Sequence, residues 1–275
     1  MRLPIFQVDA FASAVFRGNP AAVVLLDEWL DAPTMQAIAA ENNLSETAFV
    51  RAEGGAFRIR WFTPVNEVPL CGHATLASAW VLFHTGRASG DRVDLVSASG
   101  PLAVARSGDE LTLDFPTLPV TASSVPLEAI ASLGDTPEEV LGRERLMFAV
   151  FRAEAQVRAL TPDLAALAAT GLMALVTAPG DEVDFVSRFF SPHDGIPEDP
   201  VTGSAHCSLT PYWAARLGKS TLRARQVSKR GGELGCALKG DRVAISGTVV
   251  PYLEGFIEVA VGAPDLSPRE FSDGS

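Results

Sequence analysis

Glu46, His73 and Asp199 are the residues whose types and positions fit acid/base chemistry. Glu46 directly precedes the predicted strand Thr47 to Arg51, which places it at the mouth of that strand, beside apolar residues such as Ala48 and Phe49. A carboxylate beside apolar neighbours there could exchange protons with a substrate near neutral pH. His73 lies one residue past a glycine at a predicted helix start, and Asp199 lies in a loop that leads to a second such start.

Each of these residues also has an ordinary structural interpretation. Most glutamates are solvated surface groups, so the position of Glu46 alone does not make it catalytic. A lone histidine such as His73 is more often a hydrogen-bonded core residue. Asp199 fits the N-terminal cap of a helix, and Ser204 has the same ambiguity. The residue types therefore leave both interpretations open.

The elements that would position these groups occur twice. Trp61-Phe62-Thr63-Pro64 followed by Gly72-His73-Ala74 matches Phe189-Phe190-Ser191-Pro192 followed by Gly203-Ser204-Ala205, 128 to 131 positions later. Further Gly turns and strands repeat at 131 to 132 positions. A repeat of about half the chain indicates an internal duplication and two similar lobes.

The duplication predicts that two equivalent helix starts, at Gly72 and Gly203, face each other across a pseudo-dyad. Backbone N–H groups at the start of a helix have no acceptor within it and attract negative charge. Two facing starts can therefore hold a carboxylate and stabilise an enolate-like oxygen. The proton carrier that such a site needs is supplied best by Glu46.

Cysteine raises two other possibilities for this site. Two-thiol racemases place one cysteine at each of two facing helix starts, but the repeat pairs Cys71 with Thr202, so Cys71 is expected to be a small packing residue. A zinc site from Cys71, His73, His206 and Cys207 lacks the spacings of structural zinc motifs, and we expect no metal.

Three cysteines form no disulfide framework and indicate a reducing compartment.

The fold class follows from the segment 68–86, which contains no charged residue although 20% of the chain is charged. Pro69, Gly72, His73 and His84 interrupt it, so a buried helix is favoured over a membrane span. Short strands with Gly turns surround it in sequence. We predict an α+β protein of two pseudo-symmetric lobes, residues 1–117 and 118–275. Each lobe is a curled, mainly antiparallel sheet wrapped round a buried helix, with the active-site cleft between them.

The amino-acid composition limits the classes of molecule that this protein is expected to bind. The formal charge of −11 and the absence of a basic run argue against nucleic acid, and any anionic ligand must be held by local donors. No Gly-rich nucleotide loop is present. The N-terminus runs into an alternating strand without an apolar signal segment, so cytoplasm is the expected location and no membrane contact is expected.

Four motifs, in order, resemble the PhzF family of phenazine-biosynthesis isomerases and their relatives. They are Gly18-Asn19-Pro20, Leu44-Ser45-Glu46-Thr47, Leu70-Cys71-Gly72-His73-Ala74-Thr75 and Glu198-Asp199-Pro200-Val201-Thr202-Gly203-Ser204-Ala205-His206. The resemblance covers nearly the whole chain. It implies a diaminopimelate-epimerase-like fold, often a homodimer, and isomerisation of trans-2,3-dihydro-3-hydroxyanthranilate without a cofactor.

The resemblance also assigns roles. It implies Glu46 as the general acid/base and His73 and Asp199 as assisting catalytic residues. It implies a substrate-binding set of Asn19, Ser45, Gly72, Gly203 and Ser204. The stretch Gln226 to Gly232 departs from the Gly-Arg-Pro-Ser type of sequence at this place in the family, so Lys229 and Arg230 either change substrate selection or lie in solvent.

The main hypothesis is therefore a cofactor-independent isomerase that moves a proton on a small, possibly cyclic, amino or hydroxy carboxylic acid. An amino-acid racemase or epimerase is the alternative enzyme, which the Cys71/Thr202 pair disfavours. A non-catalytic small-ligand-binding protein on the same scaffold is the alternative from another class. The true substrate is not determined by these residues, because one fold supports many functions.

Overall fold

One pattern of strands and helices is used twice along the chain. In the computed structural model, which describes residues 1–259, the first copy consists of β1 (Arg2–Ala10), β2 (Asn19–Leu26), α1 (Ala32–Asn42), β3 (Glu46–Glu53), β4 (Ala56–Phe62), β5 (Glu67–Val68), α2 (Gly72–His84), β6 (Arg92–Ser97), β7 (Gly100–Ser107) and β8 (Glu110–Pro116). The short helix α3 (Leu127–Ala131) follows.

The second copy repeats this order with two short helices in place of α1. It consists of β9 (Glu139–Arg143), β10 (Leu146–Val150), α4 (Glu154–Ala159), α5 (Leu164–Ala169), β11 (Met173–Pro179), β12 (Phe185–Ser191), β13 (Ile196–Asp199), α6 (His206–Leu217), β14 (Thr221–Gln226), β15 (Gly232–Lys239) and β16 (Arg242–Gly247). A 3₁₀ turn at Pro192–Asp194 precedes β13, and β17 (Val249–Glu258) follows the second copy.

Strand pairing has the same pattern in both copies, which confirms the two pseudo-symmetric lobes. In the first copy β2 and β3 are parallel, β4 and β6 are parallel across α2, and their other partners are antiparallel. In the second copy β10 and β11 are parallel and β12 and β14 are parallel across α6. Each parallel pair needs a crossover, and here a helix-containing segment supplies each one.

Within residues 1–259, two contacts join the copies into one 17-stranded sheet. Antiparallel pairing of β8 with β16 connects the copies, and β17 returns to pair with β1. The division into lobes at 1–117 and 118–275 stays our proposal. Strand β17, which that division assigns to the second lobe, forms its hydrogen bonds with β1.

The charge-free segment forms α2, as predicted. Its side chains from His73 to Ala79 are buried together with Val81 and Leu82, while His84 at the end is exposed. Helix α2 packs against β1, β2, β3, β7, β8 and β17, so the sheet surrounds it. Since most of its faces are covered by strands, a charged side chain would have no route to water along most of the helix.

Helix α6 is the equivalent of α2 and packs against β14, β15 and β16. It begins at His206, three residues later than the predicted start at Gly203. The preceding residues form a turn in which the His206 N–H donates to the Gly203 carbonyl at 3.0 Å. This i to i+3 pattern is common at helix ends, and it still directs the N–H groups of the turn out of the end of the helix.

Candidate active site

The starts of the two central helices lie against each other. A Cβ atom on Gly72 would stand 3.8 Å from the Cα atom of Gly203, and one on Gly203 would stand 3.9 Å from the Cα atom of Gly72. Phe115 packs on Gly72 and Phe11 packs on Gly203 at similar distances. The duplicated helix starts therefore meet face to face, as the repeat in the sequence predicts.

Backbone N–H groups at this junction point away from both helices. The first backbone bond of α2 runs from the Thr75 N–H to the Cys71 carbonyl at 3.2 Å, so the three preceding N–H groups have no acceptor inside the helix. The N–H groups of Gly203 and Ser204 likewise precede the first bond of the turn before α6. These donors, together with the positive ends of two helix dipoles, favour an anion between the lobes.

Parallel pairing of β2 with β3 brings Asn19 and Glu46 to the same edge of the sheet. Asn19 is the first residue of β2, Glu46 is the first residue of β3, and Ala21 pairs with Glu46 in the ladder. The edge at which both strands begin faces the start of α2. Glu46 therefore does stand at the mouth of a strand, as its sequence position indicates.

The Glu46 carboxylate contacts His73. Glu46 Oε2 is 3.0 Å from His73 Nε2, and the two side chains are 13% and 6% exposed. On the other edge of the ring, His73 Nδ1 is 3.5 Å from the Cys71 sulfur. A carboxylate, an imidazole and a thiol thus form a row of groups that can hold protons.

The protonation of His73 and Cys71 depends on their burial and on the contacts within this row. Burial lowers the pKa of His73, but the Cys71 sulfur and the Glu46 carboxylate raise it, and the His73 pKa lies well above its ordinary value. Burial also raises the pKa of the Cys71 thiol, which is therefore neutral near pH 7. His73 is therefore favoured in its protonated form near pH 7.

Asp199 belongs to a second buried network beside His73. Asn19 Nδ2 donates to Asp199 Oδ1 at 2.7 Å and to the Val201 carbonyl at 2.9 Å, and the Thr202 hydroxyl donates to Asp199 Oδ2 at 2.5 Å. The same Asn19 nitrogen lies 3.2 Å from His73 Nδ1. Its two hydrogens are matched by the two shorter contacts, which are those to Asp199 and Val201.

Burial raises the pKa of Asp199 to about 6. The nearby His73 and the hydrogen bonds from Thr202 and Asn19 lower it, while Glu46 adds to the increase. Asp199 is therefore a carboxyl group that changes its protonation close to physiological pH. Such a perturbed group in a cleft is a candidate for a functional role.

These residues surround a cavity of about 310 Å³. All predicted site residues except Asn19 line it, namely Ser45, Glu46, Gly72, His73, Asp199, Gly203 and Ser204. Asn19 is fully buried behind the wall, where it holds Asp199 and Val201. Its direct contact with a substrate, which the resemblance implies, stays a prediction, and from its hydrogen bonds we propose that it positions Asp199 and Val201.

The cavity has apolar walls and, within residues 1–259, no lysine or arginine on its surface. Leu70, Phe115, Leu118 and Ile196 supply much of the apolar wall. Its volume is at the lower end of the roughly 300–1,000 Å³ that is usual for ligand pockets. The site therefore suits a small molecule with an apolar ring or chain and an anionic group held by backbone N–H donors.

The chain matches the family model described as "Phenazine biosynthesis-like protein" over residues 8–255. It belongs to the PhzF family. An uncharacterized isomerase of Pseudomonas aeruginosa is 52% identical over 261 residues, which covers 94% of this chain and the whole relative. A solved PhzF-family structure from Enterococcus faecalis is 48% identical with a TM-score of 0.91, and it covers 94% of this chain and all of the other.

More distant structures share the fold of this PhzF-family chain. A hydroxyproline epimerase from Agrobacterium vitis, solved with bound trans-4-hydroxy-L-proline, has a TM-score of 0.57 at 11% identity and covers 93% of this chain and 92% of its own. At that identity the likeness concerns the fold alone. Within residues 1–259, none of the helices has the length and apolar character to span a membrane.

Two site residues that sequence reasoning missed are Thr202 and Gln226. Thr202 was considered only as the repeat partner of Cys71, yet its hydroxyl binds Asp199. Gln226 is fully buried, accepts the Thr202 N–H at 2.8 Å and donates to the Asp199 carbonyl at 2.8 Å. A glutamine at the end of a predicted strand gives no signal of such a contact, because its partners lie 24 and 27 residues earlier.

The four residues that the sequence offers as a possible zinc site, Cys71, His73, His206 and Cys207, do not form one cluster among the described residues. Cys71 and His73 meet Glu46, whereas His206 and Cys207 are not part of that group. His206 Nδ1 donates to the Thr202 carbonyl at 2.8 Å. Burial lowers the pKa of His206 to about 4, so this ring is neutral near pH 7. His206 is therefore a buried packing and hydrogen-bonding residue below the turn at Gly203.

Arg230 neither lines the cavity nor lies free in solvent. It donates to Asp9 Oδ1 at 2.7 Å, to the Gly18 carbonyl at 2.8 Å and to the Arg17 carbonyl at 3.0 Å. Asp9 is 2% exposed, and burial raises its pKa although Arg230 and the Phe16 N–H counteract this. Arg230 thus fixes the turn before Asn19 from the other half of the chain, while Lys229 is exposed.

We expect Arg230→Ala to lower the free energy of unfolding by about 2–3 kcal/mol, since it leaves the Asp9 carboxylate buried without its cation. Lys229→Ala, which removes the neighbouring exposed cation, should change it by less than about 0.5 kcal/mol. Urea unfolding of the wild type and of the two variants measures both changes in the free energy of unfolding. Equal stability of the Arg230 and Lys229 variants would show that the Asp9 contact does not hold this turn.

Proposed function

We propose that this chain is a cofactor-independent isomerase that transfers a proton on a small amino or hydroxy carboxylic acid, such as trans-2,3-dihydro-3-hydroxyanthranilate. The observation that carries the proposal is the 3.0 Å contact between Glu46 and His73 beside the facing helix starts at Gly72 and Gly203. A proton carrier and an anion-binding site are then on the same cavity wall.

In this proposal the substrate carboxylate accepts hydrogen bonds from the N–H groups of Gly72, Gly203 and Ser204. Glu46 removes the proton from the substrate carbon, and the negative charge that develops is stabilised by the same donors and by the helix dipoles. Glu46 then returns the proton to another carbon of the conjugated system. Protonated His73 and ionised Asp199 orient the polar substituents of the substrate and keep the charge of the site balanced.

Relatives support the reaction class. The P. aeruginosa relative at 52% identity and a second one at 49% identity are both named isomerases. The substrate is the one that the family resemblance implies, and the size and apolar walls of the cavity are compatible with a six-membered ring acid. The family implies a homodimer, which stays a prediction that sedimentation velocity would check.

An amino-acid racemase is the less favoured enzyme. It needs one base on each face of the substrate carbon, and in the thiol type each helix start provides one. Here the second helix start provides Thr202, whose hydroxyl is occupied by Asp199. The Cys71 thiol is also neutral near pH 7, because burial raises its pKa.

The test is proton exchange in D₂O followed by NMR. We expect deuterium to enter trans-2,3-dihydro-3-hydroxyanthranilate, or a related cyclic dienyl acid, at the carbon that gains a proton. Proline, hydroxyproline and diaminopimelate serve as the racemase substrates. Exchange at the α-carbon of one of these, with none in the cyclic acids, would overturn the proposal in favour of the racemase. Binding of the acids without exchange would support the ligand-binding alternative.

The protonation of Asp199 predicts the acidic limb of the pH profile. Because its pKa is raised to about 6, the carboxyl is ionised above that pH and protonated below it. If the ionised form is required, kcat/KM rises with pH up to about 6 and levels off above it, and it is about tenfold lower at pH 5 than on the plateau. We expect Asp199→Asn to be slower at every pH and to lack this limb. If Asp199→Asn keeps the same acidic limb in its profile of kcat/KM against pH, that limb reports the titration of another group.

A further inference from the structure

A second pocket, of about 480 Å³, is lined by residues of both copies of the fold. The first copy contributes the segment between β1 and β2, and the second contributes the end of β14, the start of β15 and the loop that joins them. Arg158, near the end of α4, completes the wall. Within residues 1–259 this pocket shares no lining residue with the active-site cavity. It includes most of the stretch 226–232, which departs from the family's sequence.

Four arginines line this pocket, although the chain as a whole carries a formal charge of −11. They are Arg17, Arg158, Arg225 and Arg230, and we call the site the arginine pocket. Glu233 is the one acidic residue on its lining among residues 1–259. A concave surface lined mainly by one sign of charge focuses the electric field and attracts ions of the opposite sign. The arginine pocket therefore favours an anion.

Three of these arginines form ion pairs, but most of the carboxylates involved lie outside the lining. The pairs are Arg158 with Glu154, Arg230 with Asp9, and Arg225 with both Glu182 and Glu233. The ion pairs lower the net charge of the region, and they also hold the guanidinium groups in place. Each guanidinium carries five N–H donors, so one or two carboxylates do not use all of them.

Arg17 is the arginine whose charge is not compensated. In the part of the chain that the structure describes, no carboxylate lies within salt-bridge distance of it, and its one hydrogen bond runs from Nη1 to the Arg230 carbonyl at 3.4 Å. Nη1 would also lie 3.9 Å from a Cβ atom on Gly231, so the side chain extends over the loop between β14 and β15. Four of its five donors are therefore free to bind a ligand.

The donor set fits a phosphate group. A guanidinium group binds phosphate oxygens in pairs through parallel N–H donors, and it stays charged at all physiological pH values. Guanidinium groups from three separate segments of the chain suit a tetrahedral group with several oxygens better than a planar carboxylate. The volume of about 480 Å³ lies within the range of roughly 300–1,000 Å³ for ligand pockets, which leaves room for an organic part beside the phosphate.

We propose that the arginine pocket is a second ligand site, which binds a doubly charged phosphate group, either free or attached to a small organic molecule. Arg17 supplies the uncompensated charge, and Arg158 and Arg225 supply further donors. Because the wall comes from both copies, a bound ligand stabilises the folded chain. This inference does not rest on the proposed isomerase function, since binding is measured without a substrate. The active-site cavity, in contrast, offers an anion only backbone donors.

The experiment is a calorimetric titration of the full chain in a phosphate-free buffer of low ionic strength. The probes are inorganic phosphate, pyrophosphate and ribose 5-phosphate, and succinate is the dicarboxylate control. We expect one ligand per chain and a Kd below about 1 mM for at least one phosphate probe, with succinate at least about tenfold weaker. Tighter binding of ribose 5-phosphate than of inorganic phosphate would identify a phosphorylated molecule as the ligand, and the reverse order would identify the free ion.

Two further measurements follow from the same model. Added NaCl should weaken binding, because it screens the charges of an open pocket. At a concentration of about 100 times its Kd, the bound probe should raise the Tm by about 5–10 °C.

Variants locate the site. Arg17→Ala should weaken binding by about tenfold or more, and Arg17→Lys should lie between Arg17→Ala and the wild type. Glu233→Gln should bind more tightly than the wild type, because it removes the acidic group on the lining and frees the Arg225 donor that binds it at 3.0 Å. Arg223→Ala is the matched control, since Arg223 is an exposed arginine of β14 outside the pocket, and its affinity should be unchanged.

Circular dichroism and thermal unfolding show whether each variant is folded, and Arg17→Gln takes the place of an alanine variant that is not. The absence of saturable binding of all three phosphate probes by the wild type would overturn the proposal. Unchanged affinity in a folded Arg17→Ala protein would also overturn it, because the anion would then bind elsewhere, for example at the facing helix starts. Weaker binding by Glu233→Gln, or equal binding of succinate, would contradict the assignment to a phosphate group in this pocket.

Discussion

Glu46→Gln is expected to lower the rate of deuterium incorporation into the substrate by about 10²–10⁴-fold, which is the usual contribution of a positioned acid or base. The amide has the shape of the carboxylate but cannot accept the proton. Glu46 lies 3.0 Å from His73 Nε2 and lines the cavity beside Gly72, so no other change at the site is needed to explain the loss. Exchange followed by NMR and kcat/KM measures the effect.

The matched control is Glu41→Gln, the same chemical change at an exposed residue near the end of α1. It should leave the rate within twofold of the wild type. Ligand binding by the Glu46 variant, followed by fluorescence or calorimetry, should persist, because the anion is held by backbone donors. Wild-type exchange in a folded Glu46→Gln protein would remove this residue from the mechanism.

Asn19→Leu is expected to lower the free energy of unfolding by about 2–5 kcal/mol and to reduce activity strongly, although Asn19 does not touch the cavity. Leucine has a similar volume but donates no hydrogen bond. Asp199 Oδ1 and the Val201 carbonyl, 2.7 and 2.9 Å from the Asn19 nitrogen, would then be left without this donor. A buried acceptor without a partner costs about 1–3 kcal/mol, and a charged one costs more.

The loss of activity in Asn19→Leu should come from a change in the pKa of Asp199, which the pH profile measures separately from stability. With one hydrogen bond lost from its ionised form, Asp199 should have a still higher pKa, so the acidic limb of kcat/KM should move to a pH above 6. Asn66→Leu in the exposed turn before β5 is the control, and it should change neither stability nor the limb by a large amount. An Asn19→Leu protein with wild-type stability would show that this network is not strongly coupled to the fold.

The fold was largely predictable because its signals are local. A charge-free segment of helical length predicted α2, alternating residues between Gly turns predicted the strands around it, and a repeated order of landmarks predicted two similar lobes. The later start of α6 was not predicted. The glycine marks the beginning of the turn in both copies, but whether the turn is α or 3₁₀ depends on packing that the motif does not show.

Some residues of the candidate site could be placed from the sequence, and others could not. Glu46, His73, Gly72 and Gly203 lie at ends of strands or helices that the sequence marks. Asp199, predicted to lie in a loop, is the last residue of β13, and the structure places all five around one cavity. The burial of Asn19 behind the wall was not predicted, because it is a property of the folded pair of lobes. Gln226 and Arg230 were not assigned their roles for the same reason.

The sequence by itself determined the two repeated lobes, the two polar helix starts and the acid side chain at the mouth of β3. The helix starts and the strand mouth depend on residue types within a few positions of each other, and the two lobes depend on an order of landmarks that recurs about 131 positions later. The tertiary structure alone decided which side chains meet, as in the contact of Asn19 with Asp199, 180 residues apart, and of Arg230 with Asp9, 221 residues apart. Such contacts form only when the lobes pack, because the direction of a buried side chain depends on all the elements around it.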